Sequence, residues 1–317
     1  MSRFFNLILN EQIKTYLRRS TWAMYIIIIG LIVGLAILTK TFDVDDVAYT
    51  EDNWRDILEQ DNEVLMKEIE EDEFLEGVNT MFIEENNFYL DNDIQPHNYG
   101  AWKFVYENNM LLMLVSLFTI VIAAGIIAHE FRWGTIKLLL IRPISRSTIL
   151  LSKYISVLLF ALMTLLFVFI TAWITGALFF GVEGASPHIL IYTETMDLKY
   201  VAAIEEILSD YGYQMINLVM MATFAFMISA VFRNSTLAIG IAIFLMMAGN
   251  SIVTFFADRS WAKYILFANT NLKQYSIGSP MIEGMTLSFS ITVLLIYYIL
   301  FISVTWIFFT KRDVAGT

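Results

Sequence analysis

The sequence has no cysteine. That excludes a disulfide framework, a thiolate metal site and a cysteine nucleophile. Proline is nearly as scarce, and all four, Pro96, Pro143, Pro187 and Pro280, fall between apolar runs, where they break no helix. The three histidines, His97, His129 and His188, stand in separate segments without metal-ligand spacing, and no HExxH is present. A phosphate loop needs a Gly-Lys step, which this chain does not contain. A GxSxG nucleophile elbow is missing too. No apolar run carries Asp, Glu, Lys, Arg or His in its core, although such groups usually mark ion paths and proton relays. These absences argue against an enzyme, a proton-driven carrier and a channel.

What is abundant is apolar sequence, at 57% of 317 residues. It gathers into runs long enough to cross a hydrocarbon core of ~30 Å at 1.5 Å per helical residue. Six spans are expected: 22–39, 109–128, 149–180, 213–232, 236–257 and 287–310. Residues 1–21 come before them, with Phe4, Phe5, Ile8, Leu9, Ile13, Tyr16 and Leu17 on one stripe and Arg3, Asn6, Glu11, Lys14 and Arg18 on the other. This pattern predicts an amphipathic helix lying in the membrane interface. In the first span Gly30 and Gly34 form a GxxxG, a pattern of close helix packing. Asn250, Gln214 and Asn217 are the plainest polar groups of the spans and read as interhelical hydrogen-bonding residues. No cleavable signal peptide is evident.

Charge sets the expected orientation. With the N-terminus inside, the inner segments hold twelve of 20 Lys and Arg but only three of 31 Asp and Glu, namely Glu11, Glu130 and Asp313. The positive-inside rule therefore puts both termini and residues 129–148 in the cytoplasm, and 40–108, 181–212 and 258–286 outside. The first outer loop has twenty acidic residues between Asp43 and Glu107, and Trp54, Ile57, Leu58, Leu65, Ile69 and Phe74 recur at helical spacing. It is expected to be helical and acidic, either a solvated face or an attractor of cations and basic peptides. Residues 197–212 read as a second short helical piece, and 260–280 as an apolar segment that turns back toward the membrane.

One inner segment stands out: "AHEFRWGTIKLLLIRPISRSTILLSKY", Ala128 to Tyr154, carries five cations and one acid. Trp133, Ile136, Leu139 and Leu140 form an apolar stripe beside Arg132, Lys137 and Arg142. Such a stripe suits a partner with an acidic-rimmed groove. Gly134 permits a kink or a close approach, and Pro143 ends the helix.

The same stretch resembles the first cytoplasmic loop of permease subunits of type-2 ATP-binding-cassette (ABC) exporters, through Glu130, Gly134, Thr135, Leu138, Leu139, Arg142, Pro143, Ser145, Arg146 and Lys153. The six spans, the N-terminal interfacial helix and the terminal "FFTKRDV" are similar as well. The first outer loop is larger than in compact members, so the resemblance implies no role for it. The implied fold is an all-α polytopic membrane protein: one transmembrane domain over 1–317, with a cytoplasmic coupling helix between spans 2 and 3.

In that reading Glu130, Arg132, Trp133, Gly134, Thr135, Lys137, Leu139, Arg142 and Pro143 form the coupling interface to a cytosolic ATPase. The implied partners are two such ATPase subunits, a second permease chain, identical or not, and membrane lipid, with no nucleic acid. The chain itself binds no cofactor and catalyses nothing; ATP and Mg2+ belong to the ATPase. The expected location is the inner (cytoplasmic) cell membrane. Uncharged spans fit an amphipathic, lipid-like or antimicrobial-peptide cargo. Two alternatives stay open on the residues alone: a non-transport sensor or scaffold displaying the acidic outer loop, and a channel or carrier.

Overall fold

The computed structural model describes residues 2–42, 49–135, 144–182, 184, 187–192, 197–276, 278 and 280–311. The elements run in the order α1 (Ser2–Tyr16), α2 (Arg19–Phe42), α3 (Trp54–Glu71), α4 (Glu76–Asp91), α5 (Ala101–Glu107), α6 (Leu111–Arg132) and α7 (Arg146–Phe180). Then come β1 (His188–Tyr192), β2 (Leu198–Ala202), α8 (Ala203–Phe232), α9 (Ser235–Phe255), α10 (Leu266–Thr270) and α11 (Leu287–Lys311). Six of these, α2, α6, α7, α8, α9 and α11, are long and apolar enough to cross a membrane. The protein is thus a largely helical, multi-pass membrane protein.

The backbone gathers into two compact units: residues 1–31, 109–170 and 209–317 form one, and 32–108 with 171–208 the other.

In the first unit α6 is central. Its most apolar stretch is 78% buried, against 22% for α9 and for α11. Ile120, Ala123 and Ile127 of α6 pack with Val157 of α7 and with Ala222 and Phe226 of α8. The peripheral helices keep large apolar side chains outward, among them Phe244 and Met247 on α9 and Leu295, Ile296 and Ile299 on α11. In water this would be a cost; against lipid chains it is the expected surface. Residues 262–275 fold back as short helical turns with Leu266, Ala268 and Leu272 buried. Gly249 of α9 is required there, because a Cβ would strike the ring of Phe267.

In the second unit α3 and α4 pair along their lengths. The pairing is stitched by amides: Asn62 donates to Asn87 (3.0 Å), and Asn79 donates to Glu68 (2.9 Å) and the Leu65 carbonyl (3.3 Å). Gly176 of α7 admits the α5 backbone, since a Cβ would sit 2.9 Å from Ala101 Cα. An antiparallel hairpin of β1 and β2 pairs His188 with Ala202 and Tyr192 with Leu198.

The hairpin corrects the short helix expected over 197–212, since 198–202 is extended. Short β-branched and aromatic residues there favour the pleated surface. Helix starts at Ala203 and runs unbroken into the fourth span. The helical acidic segment expected within 40–108 is present as α3, α4 and α5.

Candidate functional site

The basic segment begins where α6 ends, and the described part of it is built around one buried carboxylate. Glu130 lies in the last turn of α6 and is 7% exposed. Lys153, near the start of α7, is 1% exposed; its Nζ donates to Glu130 Oε1 at 3.1 Å and to Glu11 Oε2 at 2.8 Å. Lys14 Nζ reaches the same two acids, at 3.1 Å from Glu11 Oε1 and 3.1 Å from Glu130 Oε1. Two carboxylates and two ammonium groups therefore close a neutral ring joining α1, α6 and α7. A lone charge placed there would be costly, and only the alternation of sign makes the burial tolerable. Burial opposes the charge of Lys14, but the Glu11 and Glu130 carboxylates outweigh it and hold the ammonium above the ordinary lysine value.

Neutral hydrogen bonds reinforce the ring. Gln12 Nε2 donates to the Ser156 carbonyl at 2.7 Å, and Thr15 Oγ1 to the Glu11 carbonyl at 2.9 Å. The α1 helix is thus fixed by its polar side, while Phe5, Leu9, Ile13 and Leu17 stay exposed. This arrangement inverts a soluble helix and fits an interfacial one, with its apolar stripe left for lipid.

Thr135 is held by the same acid, its hydroxyl donating to Glu130 Oε2. Between them the chain leaves the helix through a glycine turn. Trp133 N–H donates to the His129 carbonyl (2.9 Å), Gly134 N–H to the Phe131 carbonyl (3.1 Å), and Gly134 has φ +70°. That left-handed conformation terminates a helix and favours glycine. Trp133 stands at the surface, 59% exposed, with its ring stacked on His129 at 5.1 Å. The guanidinium groups of Arg18 and Arg132 lie 5.8 and 5.9 Å from that ring. Arg18 Nη1 also meets His129 Nδ1 at 3.1 Å.

The residues expected to form a partner interface therefore divide. Arg132 and Trp133 are at the surface. Glu130 is buried, its carboxylate engaged inside the chain by Lys14, Lys153 and Thr135. Gly134 serves the turn. Lys137, Leu139, Arg142 and Pro143 lie outside the described residues. At Gly30 and Gly34 a Cβ would meet no atom of the described residues within 4 Å. Their expected helix-packing role finds no partner among the described residues. Glu11, Lys14 and Lys153 were not read as a site in the sequence. The available signal was rarity, since Glu11 and Glu130 are two of only three acids in the segments expected inside.

The three amides singled out in the spans come together at a different place in the first unit. Gln214, Asn217 and Asn250 line a cavity of about 480 Å³, with Met221, Met246 and Phe267 among its walls. Gln214 donates to Ser116 Oγ at 2.9 Å and so is an interhelical tie. At the same cavity Asp210 is buried, paired with Lys273 at 2.5 Å and receiving Asn109 Nδ2 at 3.1 Å.

Residues 74–315 match the family described as "Protein of unknown function (DUF2705)". The chain is 44% identical to the uncharacterized protein YhcI of Bacillus subtilis (strain 168), over 98% of this chain and 99% of that one. It is 35% identical to the uncharacterized membrane protein YdbK of the same organism, over 64% of this chain and 79% of the relative.

Proposed function

We propose that this chain, which belongs to the DUF2705 family, is the permease subunit of an ATP-driven exporter, coupled to a separate cytosolic ATPase through the segment that follows α6. The observation that carries the reading is the ring of Glu11, Lys14, Glu130 and Lys153. It ties the start of the segment rigidly to three helices and leaves Trp133 outward among cations. A push on such an anchored segment moves helices, whereas a push on a loose connector moves only the connector. Exposed tryptophan flanked by arginines is also the composition of interface anchors. No phosphate loop is present in the sequence, so the energy source is a partner. Two such permeases with two ATPases would make the working unit. The amide- and methionine-lined cavity of the first unit is the candidate surface for an amphipathic cargo.

The test is purification of the tagged chain from native membranes with identification of what comes with it. A stoichiometric ATPase bearing a phosphate loop is expected, and Trp133→Ala should reduce its recovery about thirtyfold in affinity, or ~2 kcal/mol, while chain abundance stays unchanged. Recovery of the intact chain without any ATPase, or equal recovery by Trp133→Ala, would overturn the reading and favour a sensor or scaffold.

The orientation proposed is both termini in the cytoplasm of the inner membrane, with 40–108 and 181–212 outside. The imbalance of twelve cations and three acids on one side supports it. In intact cells Glu73→Cys should label with an impermeant thiol reagent and Ser147→Cys should not; the reverse pattern defeats it.

A further inference from the structure

The second unit contains a cleft of about 590 Å³ between α3, α4, α5 and β1. Its walls are rich in rings: Phe82, Tyr89, Trp102, Tyr106 and Tyr192 all face it. Its polar lining holds three acids, Asp61, Glu85 and Glu107, with Lys103, His97, His188 and the amides of Asn86 and Asn98. Most of these are already engaged. Asp61 Oδ2 accepts from Asn86 Nδ2 at 2.8 Å. Glu107 Oε2 accepts from the Tyr99 hydroxyl at 2.6 Å, and its Oε1 pairs with Lys103 at 3.9 Å.

Glu85 differs: among the described residues its carboxylate accepts no hydrogen bond and forms no ion pair. Tyr89 and Tyr192 both feel its charge. Burial lifts the Glu85 carboxyl above the ordinary range, with Lys103 opposing and Glu107 adding to the shift.

A half-buried carboxylate among aromatic faces is a poor arrangement for an empty protein and a good one for a bound cation. The rings offer negative faces, and the acid supplies the compensating charge. Among the described residues no three His, Cys, Asp or Glu side chains converge as metal ligands, so a bare metal ion is disfavoured. The volume exceeds that of a bare ammonium and suits a cation carried on an apolar body.

We infer that this cleft is a binding site for organic cations: an ammonium or guanidinium group attached to an aromatic or apolar body. The head group pairs with Glu85, and the body lies against Tyr89, Trp102 and Tyr106. Its exposure outside the cell rests on the orientation proposed above; its chemistry does not.

The test uses the full chain in nanodiscs of zwitterionic phosphatidylcholine, titrated calorimetrically. The probes are Arg-Trp-Arg amide, phenethylammonium, Glu-Trp-Glu and calcium chloride. Saturable binding is expected for the first two only, and whichever binds more tightly tells whether the site prefers peptides or small amines. Glu85→Gln should weaken binding about tenfold, while Glu70→Gln, an equal charge loss on exposed α3 surface, should leave it unchanged. A thermal melt beside each variant separates lost binding from lost fold, and Glu85→Asp, which keeps the charge, should retain binding. Failure of both organic cations to bind, equal binding by Glu-Trp-Glu or calcium, or an undiminished Glu85→Gln would each overturn the assignment. None of these outcomes bears on ATPase recovery, so the two proposals fail separately.

Discussion

Where α1, α6 and α7 meet, two carboxylates face two ammonium groups; in the cleft of the second unit, Glu85 faces aromatic rings and, among the described residues, pairs with no cation. Both places keep charge away from water. At the first, each charge has an opposite within 2.8–3.1 Å, so the desolvation cost is largely returned by pairing. At the second the cost is only partly met, and the burden shows in the raised carboxyl of Glu85. Complete pairing makes a joint, whereas incomplete pairing leaves a place for something to bind. The two therefore predict opposite responses to neutralisation.

The largest effect is expected at Lys153. Its side chain is 1% exposed, and Lys153→Met leaves Glu11 and Glu130 buried with Lys14 alone between them. Removing one partner of a buried pair typically costs about 3–5 kcal/mol. The detergent-solubilised variant should therefore melt well below the parent. The double variant Lys153→Met with Glu130→Gln restores charge balance and should recover part of the loss. A double variant as unstable as the two losses summed would mean that packing, not charge, holds the joint.

How much of this was legible in the sequence follows from the physics of each feature. The six spans were, because a run of about 20 apolar residues has few alternatives to crossing a bilayer. Their ends were less so. The fourth span was placed from Tyr213, but α8 begins at Ala203, since "AIEEILSDYG" is helical and amphipathic, and hydropathy alone does not register it. The β1–β2 hairpin was missed because "HILIY" and "LKYVA" are too short to show a period. The charge ring was hidden by distance along the chain: Glu11 and Lys153 are separated by 142 positions, and no local pattern links them. Gly30 and Gly34 are the opposite case, a local pattern beside which the described residues leave open space.

A smaller effect is expected at Lys14, in the same ring but 39% exposed at its side chain. Water competes for it, so Lys14→Met should cost about 1 kcal/mol or less. Its pH dependence separates it from a packing effect. The folded state raises the lysine pKa, so its contribution is complete below the ordinary value of 10.5 and fades as pH climbs through the folded value. The melting gap between parent and Lys14→Met should be steady at pH 8–9 and narrow only as pH climbs beyond 10.5. A gap that persists unchanged would assign the loss to the buried methylenes instead.

The smallest effect, and the one of opposite sign, is expected at Glu85. An acid whose folded pKa is raised holds its proton more tightly in the folded state than in the unfolded one. Protonation then favours folding, and stability falls as pH rises from the ordinary value of 4.5 through the folded value. Burial sets the shift, Glu107 adds to it and Lys103 opposes it, while Asp61, His97 and His188 line the same cleft. Glu85→Gln removes the titration and the cost together. The variant should therefore melt at or slightly above the parent above that window, by on the order of 1 kcal/mol or less, and should lack the parent's decline. Saturating Arg-Trp-Arg amide should then reverse the order, because the parent gains RT ln(1 + [L]/Kd) and a variant binding tenfold more weakly gains about 1.4 kcal/mol less. If Glu85→Gln melts below the parent without ligand at every pH, the carboxylate is a structural tie like Glu130, and the contrast between the two regions dissolves.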